Sequence, residues 1–404
     1  MEVTKLQESD FLVVGGGVIG LNIARELRRR NHGARVLVIE KESECGRHAS
    51  GRNSGVLHAG FYYSADSLKA KFTKIGNKLL TDYCHRKDLR INECGKLVVA
   101  RGEEDQEFLD ELLERGRNNG IDLREVDEKE AKEIEPRART HRRALFSPTT
   151  SSVDPLEVLR SMTQDALEEG IQLRTGVCYL GRVGDKVLTS AGEVKSEYVV
   201  NAAGLYADKI ARDFGFSKRF RILPFKGLYL YSSEEPGSLK TNVYPVPDLR
   251  NPFLGVHYTL TVDGKSKIGP TAIPAFWREQ YAGFDNFNLS ELSEIVLRQL
   301  GLFAYSGFDF KRLAFEEVAK YSKRRMVSLA SSLVSGVRQE DYTKWGRPGM
   351  RAQLLDVKTK QLIMDFKLEG DDRSLHVLNA VSPAFTCSIP FSQYVCDEID
   401  RLSR

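Results

Sequence analysis

FLVVGGGVIGLNIARELRRRNHGARVLVIE, residues 11–40, contains a strand, a glycine turn, a helix, a second strand and an acid in unbroken order. The apolar run at 11–14 reads as a buried strand. Gly15, Gly17 and Gly20 follow as G-x-G-x-x-G. The first glycine permits the tight turn, the second lets the backbone approach a pyrophosphate, and the third lets the next helix pack closely on the sheet. Free N–H groups at that helix's N-terminus, with its dipole, favour the phosphate pair. A second apolar strand at 36–39 ends in Glu40, whose carboxylate would accept hydrogen bonds from a ribose diol and disfavour a 2′-phosphate. The stretch predicts a Rossmann-like α/β domain that binds an adenine dinucleotide.

The whole chain has 404 residues, 41% hydrophobic and 29% charged, enough to bury a large core and form two domains. A net charge of +4 is small for this length, and no basic tract is lined by aromatic residues. That argues against nucleic acid as a partner and leaves small anionic substrates open. The six cysteines (45, 84, 94, 178, 387, 396) form no C-x-x-C pair and no metal spacing, so they read as reduced thiols and no metal site is expected. MEVTKLQESD shows no signal or transit pattern, and no apolar run approaches the roughly 20 residues that span a bilayer. A cytoplasmic protein is expected, with peripheral contact at the inner face of a membrane left open.

Helical periodicity returns at 67–85, with Leu68, Phe72, Ile75, Leu79 and Leu80 expected to share a face. GKLVVA (95–100) reads as a strand and 103–119 as a helix. Asp154-Pro155 starts another helix that Gly170 ends, and 172–180 reads as a strand. YVVN (198–201) leads into AAGLYADKIARDFG, a second strand–glycine–helix junction where backbone at Ala203 and Gly204 can approach a cofactor. Residues 221–274 are strand-like with a hairpin turn at 262–265, residues 289–337 mostly helical, and 389–402 a closing amphipathic helix. This pattern predicts a discontinuous cofactor domain (1–85, 151–220 and 346–404) interrupted by an α+β, β-rich substrate domain (86–150 and 221–345).

The run after Glu40 separates FAD from NAD. HASGRNSGVLHAGFYY (48–63) is rich in small and hydroxyl residues that can lie against a planar ring and meet its polar edge. With NSGVLHAGFYY (53–63), SLKAKF (67–72), CGKLVVA (94–100), AAGLYADKI (202–210), YPVPD (244–248), PFLGVH (252–257), PGMRAQ (348–353) and NAVSPAFTCSI (379–389), the chain resembles the FAD-dependent D-amino-acid-oxidase-type superfamily. Within it, the chain is similar to the L-2-hydroxyglutarate dehydrogenase/oxidase family over essentially its whole length. The resemblance implies non-covalent FAD, hydride transfer to flavin N5, and oxidation of L-2-hydroxyglutarate to 2-oxoglutarate with oxygen or a quinone as electron acceptor. It implies FAD contacts from Lys41, Arg52, Asn53, Ser54, Gly55, Cys178, Ala203, Gly204, Ser382, Pro383 and Ala384, beside the fingerprint glycines and Glu40. Three positions depart from the family pattern: Arg52 stands where His is usual, AVSPAF where APSPAA is usual, and Trp277 where lysine is usual. The first two fall on the flavin side. The third falls in the substrate domain and leaves the exact acid open.

Oxidising a 2-hydroxy acid needs a base for the hydroxyl proton, and neutral imidazole suits pH 7. Of seven histidines, His32, His85 and His141 lie in charge-rich, solvated stretches, and His376 on a strand reads as structural. His257 and His58 remain, with His48 a weaker third. On pattern alone His257 reads as a half-buried sheet residue; the resemblance makes it the first candidate base, with His58 orienting flavin or substrate. The resemblance also places a carboxylate-binding arginine at Arg351, whose fork can grip a carboxylate bidentately. A dicarboxylate needs a second site, for which Arg278, Lys226 and Tyr244 are candidates. Competing readings are an amino-acid or amine oxidase of the same fold, and a non-catalytic flavin subunit that passes electrons on.

Overall fold

The computed structural model describes residues 7–247, 253–305 and 310–403; the MEVTKL segment, Asp248 of YPVPD and Pro252 of PFLGVH lie outside them. The chain divides into two compact units, one of Met1–Asn53, Pro155–Leu223 and Ala352–Arg404, the other of Ser54–Asp154 and Pro224–Arg351.

The first unit is built on the strand Gln7–Val14. It pairs in parallel with Val36–Glu40 on one side and Gly192–Asn201 on the other. Gln172–Thr175 extends the sheet beyond Val36–Glu40. Gly192–Asn201 is shared: its first half pairs antiparallel with Lys186–Thr189, its second half parallel with Ser374–Asn379. Leu12, Val14, Leu37, Ile39 and Val199 form one apolar face over Ile210. The expected strand at 172–180 is two strands, Gln172–Thr175 and Tyr179–Val183, because Gly176 turns the chain at φ +71°. Helix Val18–Arg30 buries Ile19, Leu21, Ile23 and Leu27 and ends on three arginines that complement its dipole. It is fastened to helix Ser388–Leu402 by Arg30, which pairs with Asp397 and Asp400 at 2.8 Å each. Arg25 pairs with Asp165 of helix Pro155–Glu168 at 3.0 Å.

Residues 54–85, expected in the cofactor domain, belong instead to the second unit. The reason is local. Val56–Leu57 pairs with Ser151–Val153, and Asn77 of helix Leu68–Arg86 donates to the Leu57 and Thr149 carbonyls at 3.0 Å each. That helix keeps Phe72 and Leu80 of its expected face inward but not Ile75. Phe72, Thr73, Gly76, Leu80 and Tyr83 are buried, while Ile75 is exposed.

The second unit carries an eight-stranded sheet in the order Tyr342–Trp345, Leu230–Ser232, Ser266–Gly269, His257–Leu260, Asn242–Pro245, Lys96–Val99, Arg143–Ser147 and Arg124–Asp127. Strand alternation sorts its side chains into two faces. Leu97, Val99, Val243, Tyr258, Leu260 and Ile268 join Met326, Val327 and Ala330 of helix Lys323–Ser331 in one core. The opposite face follows from register: Lys96 opposes Asn242, Val98 opposes Tyr244, His257 opposes Gly269, and Thr259 opposes Lys267. Part of that face is packed by Phe61, Tyr62 and helix Gln106–Asn118 through Leu109 and Leu112. Among the described residues of 289–337 are three α-helices, Leu289–Tyr305, Phe310–Val318 and Lys323–Ser331.

Candidate active site

The glycine turn of the first unit is fixed from both sides by backbone. Gly15 N–H donates to the Ile39 carbonyl at 2.8 Å, and Ala202 N–H to the Val14 carbonyl at 2.9 Å. Gly15 sits at φ +112°, and a Cβ there would stand 2.6 Å from the Ala202 oxygen. A Cβ on Gly20 would stand 1.9 Å from the Gly15 oxygen, so the helix packs under the turn only because that side chain is missing. Gly16 N–H donates to Glu40 Oε2 at 2.7 Å and Glu42 N–H to Oε1 at 3.0 Å, which orients the buried Glu40 carboxylate. Val18 N–H donates to Ser50 Oγ at 3.0 Å. Ser50, in the small-residue run after Glu40, caps the helix and was not among the expected site residues.

The second unit gathers a basic, aromatic-lined cluster on the open face of its sheet. Tyr244 and His257 stack at 3.6 Å between centroids. His257 Nδ1 lies 3.0 Å from the Gly255 carbonyl, which can only accept. Nδ1 therefore carries the hydrogen, and neutral imidazole keeps Nε2 as its acceptor. Burial and the Lys96 and Lys267 charges hold His257 down at about 3. Burial, Lys96 and His257 hold His58 well below the usual imidazole range. Lys96, missed at the sequence level, is fully buried with Nζ 4.7 Å from the Tyr244 centroid, 4.8 Å from Tyr62 and 4.9 Å from Phe61. Lys267 Nζ donates to the Ser54 carbonyl at 3.0 Å, and burial lowers its pKa to about 8. Lys96 opens the otherwise apolar strand Lys96–Val99 on the face that alternation turns away from the Leu97 core, a signal available in the sequence.

Comparisons with known proteins identify the family. The family of FAD dependent oxidoreductases matches residues 10–396. The chain belongs to that family. Among relatives of this FAD-dependent oxidoreductase, the mitochondrial L-2-hydroxyglutarate dehydrogenase of Homo sapiens is 37% identical, covering 97% of this chain and 89% of the relative. L-2-hydroxyglutarate dehydrogenase of Indibacter alkaliphilus is 35% identical over 96% and 97%. The fold is shared with FAD-bound L-alpha-glycerophosphate oxidase of Mycoplasma pneumoniae, at TM-score 0.77 and 22% identity over 98% of this chain and 95% of that one. It is shared too with glycine oxidase of Geobacillus kaustophilus, at TM-score 0.73 and 20% identity over 98% and 95%.

FAD is the oxidoreductase's cofactor, and the first unit fits it. The turn at 15–17 projects no side chain, the helix behind it presents its N-terminus, and Glu40 is oriented at the end of the second strand. Gly204 at the second junction, φ +52°, has open space where a Cβ would be, and Ala203 N–H is held by Asn201 Oδ1 at 3.2 Å. Lys41 pairs with Glu42 at 3.1 Å and lies over the Tyr206 ring. Arg52 donates to the Arg47 carbonyl at 2.6 Å and Asn53 to the Ser50 carbonyl at 2.7 Å, bracing the turn Ala49–Gly51. Cys178 N–H donates to Ser190 Oγ at 2.9 Å. Ser382, Pro383 and Ala384 form the loop between Ser374–Asn379 and Ser388–Leu402, and Cys387 N–H donates to the Pro383 carbonyl at 3.0 Å. Ser54 and Gly55 fall in the second unit, Gly55 at φ +79°.

The expected substrate residues each have their own described surroundings. Arg351 is half-buried, its guanidinium 5.4 Å from the Phe253 centroid; burial lowers its pKa to about 10, partly offset by Tyr63. Tyr244 joins the His257 cluster. Arg278 is buried against Glu291, which accepts its backbone N–H at 3.0 Å and pairs with Nε at 3.7 Å, so its charge is balanced internally. Lys226 is buried with its pKa lowered by that burial, against the pull of Asp285. Trp277 is buried beside the same segment, donating Nε1–H to the Asp285 carbonyl at 2.7 Å. The departure at 277 thus plugs a local core. His376 is structural, bonded to Asn201 at 3.1 Å and Ser374 at 3.2 Å and flanked by Phe214 and Phe216. His48 pairs with Glu42 at 2.9 Å.

Proposed function

We propose that this oxidoreductase converts L-2-hydroxyglutarate to 2-oxoglutarate, with His257 accepting the hydroxyl proton and Arg351 holding the C1 carboxylate. FAD, when bound, supplies the two-electron acceptor for the C2 hydride. The observation that carries the reading is the state of His257: Nδ1 committed to a carbonyl, Nε2 left as acceptor, among groups that are otherwise basic. At rest burial, with Lys96 and Lys267 as secondary causes, keeps the ring neutral. A substrate carboxylate placed among them cancels part of their repulsion, so imidazole basicity rises when the proton must be taken. Arg351 stays charged at neutral pH and offers a planar fork to one carboxylate. The same basic surroundings disfavour the amino-acid reading. A substrate ammonium there would meet the Lys267 charge and find no carboxylate among the described groups of the cluster. Anaerobic mixing tests the assignment: L-2-hydroxyglutarate should bleach the yellow flavin, and D-2-hydroxyglutarate, L-lactate and L-glutamate should do so far more slowly. Faster bleaching by L-glutamate would replace this reading with the amino-acid one.

We infer as well that the protein sits peripherally on the inner face of a membrane, with a quinone or oxygen as its electron acceptor. No helix among the described residues is long and apolar enough to cross a membrane. Yet large apolar side chains are exposed in one stretch: Phe284 at 82%, Leu297 at 69% and Phe315 at 71%, with Phe287, Leu289, Leu300 and Val318. Exposed Lys311, Arg312, Arg324 and Arg325 lie in the same stretch, a combination suited to anionic lipid. Sedimentation with anionic vesicles should carry the protein down, and Phe284→Ser with Phe315→Ser should release it. Equal recovery with neutral and anionic vesicles would reject the contact.

A further inference from the structure

We propose that Lys96 is the seat of the substrate's second carboxylate and takes up a proton as the diacid binds. The inference rests on the reaction proposed above and supplies the distal group that Arg278 cannot.

Lys96 opens the strand Lys96–Val99, opposite Asn242 on one side and Ser147 on the other. Alternation turns its side chain to the face that carries Tyr244 and His257. It is completely buried, and its Nζ makes no hydrogen bond among the described residues. Three aromatic rings stand around that nitrogen at 4.7–4.9 Å. Ring faces favour a cation but do not neutralise one, and buried lysines are rare unless paired. Three of the packed elements contribute titratable groups, while Ser147 of Arg143–Ser147 does not titrate. His58 and Tyr62 come from the 54–63 run, Tyr244 from the strand Asn242–Pro245, and His257 from His257–Leu260; Lys267 acts on the same imidazole. No carboxylate is among these groups. The five-carbon diacid brings two carboxylates to this group of basic and aromatic side chains.

The proton follows from burial. Lys96 is held at about 7 by burial, so above neutrality its amine is mostly uncharged in the free protein. A carboxylate beside it favours the ammonium, and the amine takes one proton from solvent with no other bond made or broken. Arg351 is already charged and takes up none. The two cations therefore leave different signatures.

Calorimetry of the oxidised holoenzyme with glutarate, which lacks the hydroxyl and cannot react, measures the uptake from the dependence of heat on buffer ionisation enthalpy. Wild type should take up about 0.9 proton per glutarate near pH 8 and about 0.1 near pH 6. Lys96→Met should lose the uptake and weaken glutarate at least tenfold, with FAD content unchanged. Lys96→Arg should bind glutarate without uptake, because a guanidinium is always charged. Lys96→Gln serves if the Met variant does not fold. Wild type that turns over L-2-hydroxyglutarate but binds glutarate without uptake, or a Met variant that keeps both uptake and affinity, overturns the inference and leaves the reaction standing. A wild type that neither turns over L-2-hydroxyglutarate nor binds glutarate overturns both.

Discussion

Lys96→Met should make the ligand-free protein more stable, with a pH dependence that identifies the cause. Burial lowers Lys96 from 10.5 to about 7. The unfolded chain therefore binds the proton more tightly than the folded one between those values. The resulting penalty on folding is absent above the unfolded pKa, grows as pH falls, and is complete below the folded pKa. At about 1.4 kcal/mol per unit, the penalty is about 5 kcal/mol near pH 6 and about 2 kcal/mol near pH 9. Methionine fills similar space among the three rings. Thermal melts with saturating, constant FAD should show the variant melting several degrees above wild type near pH 6. Its advantage should shrink by about 2.5 kcal/mol toward pH 9. The difference between the two pH values does not depend on how well methionine packs. A stability difference that stays flat across this range would refute the argument, because it would mean that Lys96 is not titrating in the folded protein.

Gly20→Ala puts a methyl group 1.9 Å from the Gly15 oxygen and should displace the turn, so purified protein should lose most of its FAD absorbance per chain. His257→Ala should lower turnover by about 10²- to 10⁴-fold with FAD content intact. A near-normal His257→Ala beside an inactive His58→Ala would exchange their roles. Arg351→Ala should cost about 2–5 kcal/mol in kcat/KM for L-2-hydroxyglutarate, and Arg351→Lys should recover only part, since an ammonium replaces a fork by a point charge. An unimpaired Arg351→Ala would remove the clamp.

The cofactor unit was legible because its chemistry is local. Thirty consecutive residues carry the turn, the helix and the acid, so their order alone spells the motif. The helix Leu68–Arg86 shows where this stops. Its sequence offers apolar residues on overlapping stripes, and Asn77, which no apolar pattern marks, decides the inward face by bonding two carbonyls. The substrate side was less legible for a related reason. Arg278 looked available because its partner Glu291 is thirteen residues away on the next helix, beyond any short-range pattern. Lys96 was passed over as one polar residue in an apolar strand. Its significance depends on rings contributed by residues 61, 62 and 244, which only the folded sheet brings to it.

The order of strands in the first unit also sets a timetable. Gln7–Val14 is the earliest described strand to leave the ribosome, yet one neighbour, Gly192–Asn201, comes nearly two hundred residues later and is itself flanked by Ser374–Asn379. Helix Val18–Arg30 waits longer still, for Asp397 and Asp400. At about 5–20 residues per second, the glycine turn spends roughly 20–80 s of synthesis on an incomplete sheet. The apolar faces of strand and helix are exposed throughout that interval, which makes the nascent chain a client for chaperones. Stable capture of FAD becomes an event that follows translation, and losing the last helix from an otherwise long chain should cost the flavin as surely as losing the glycines.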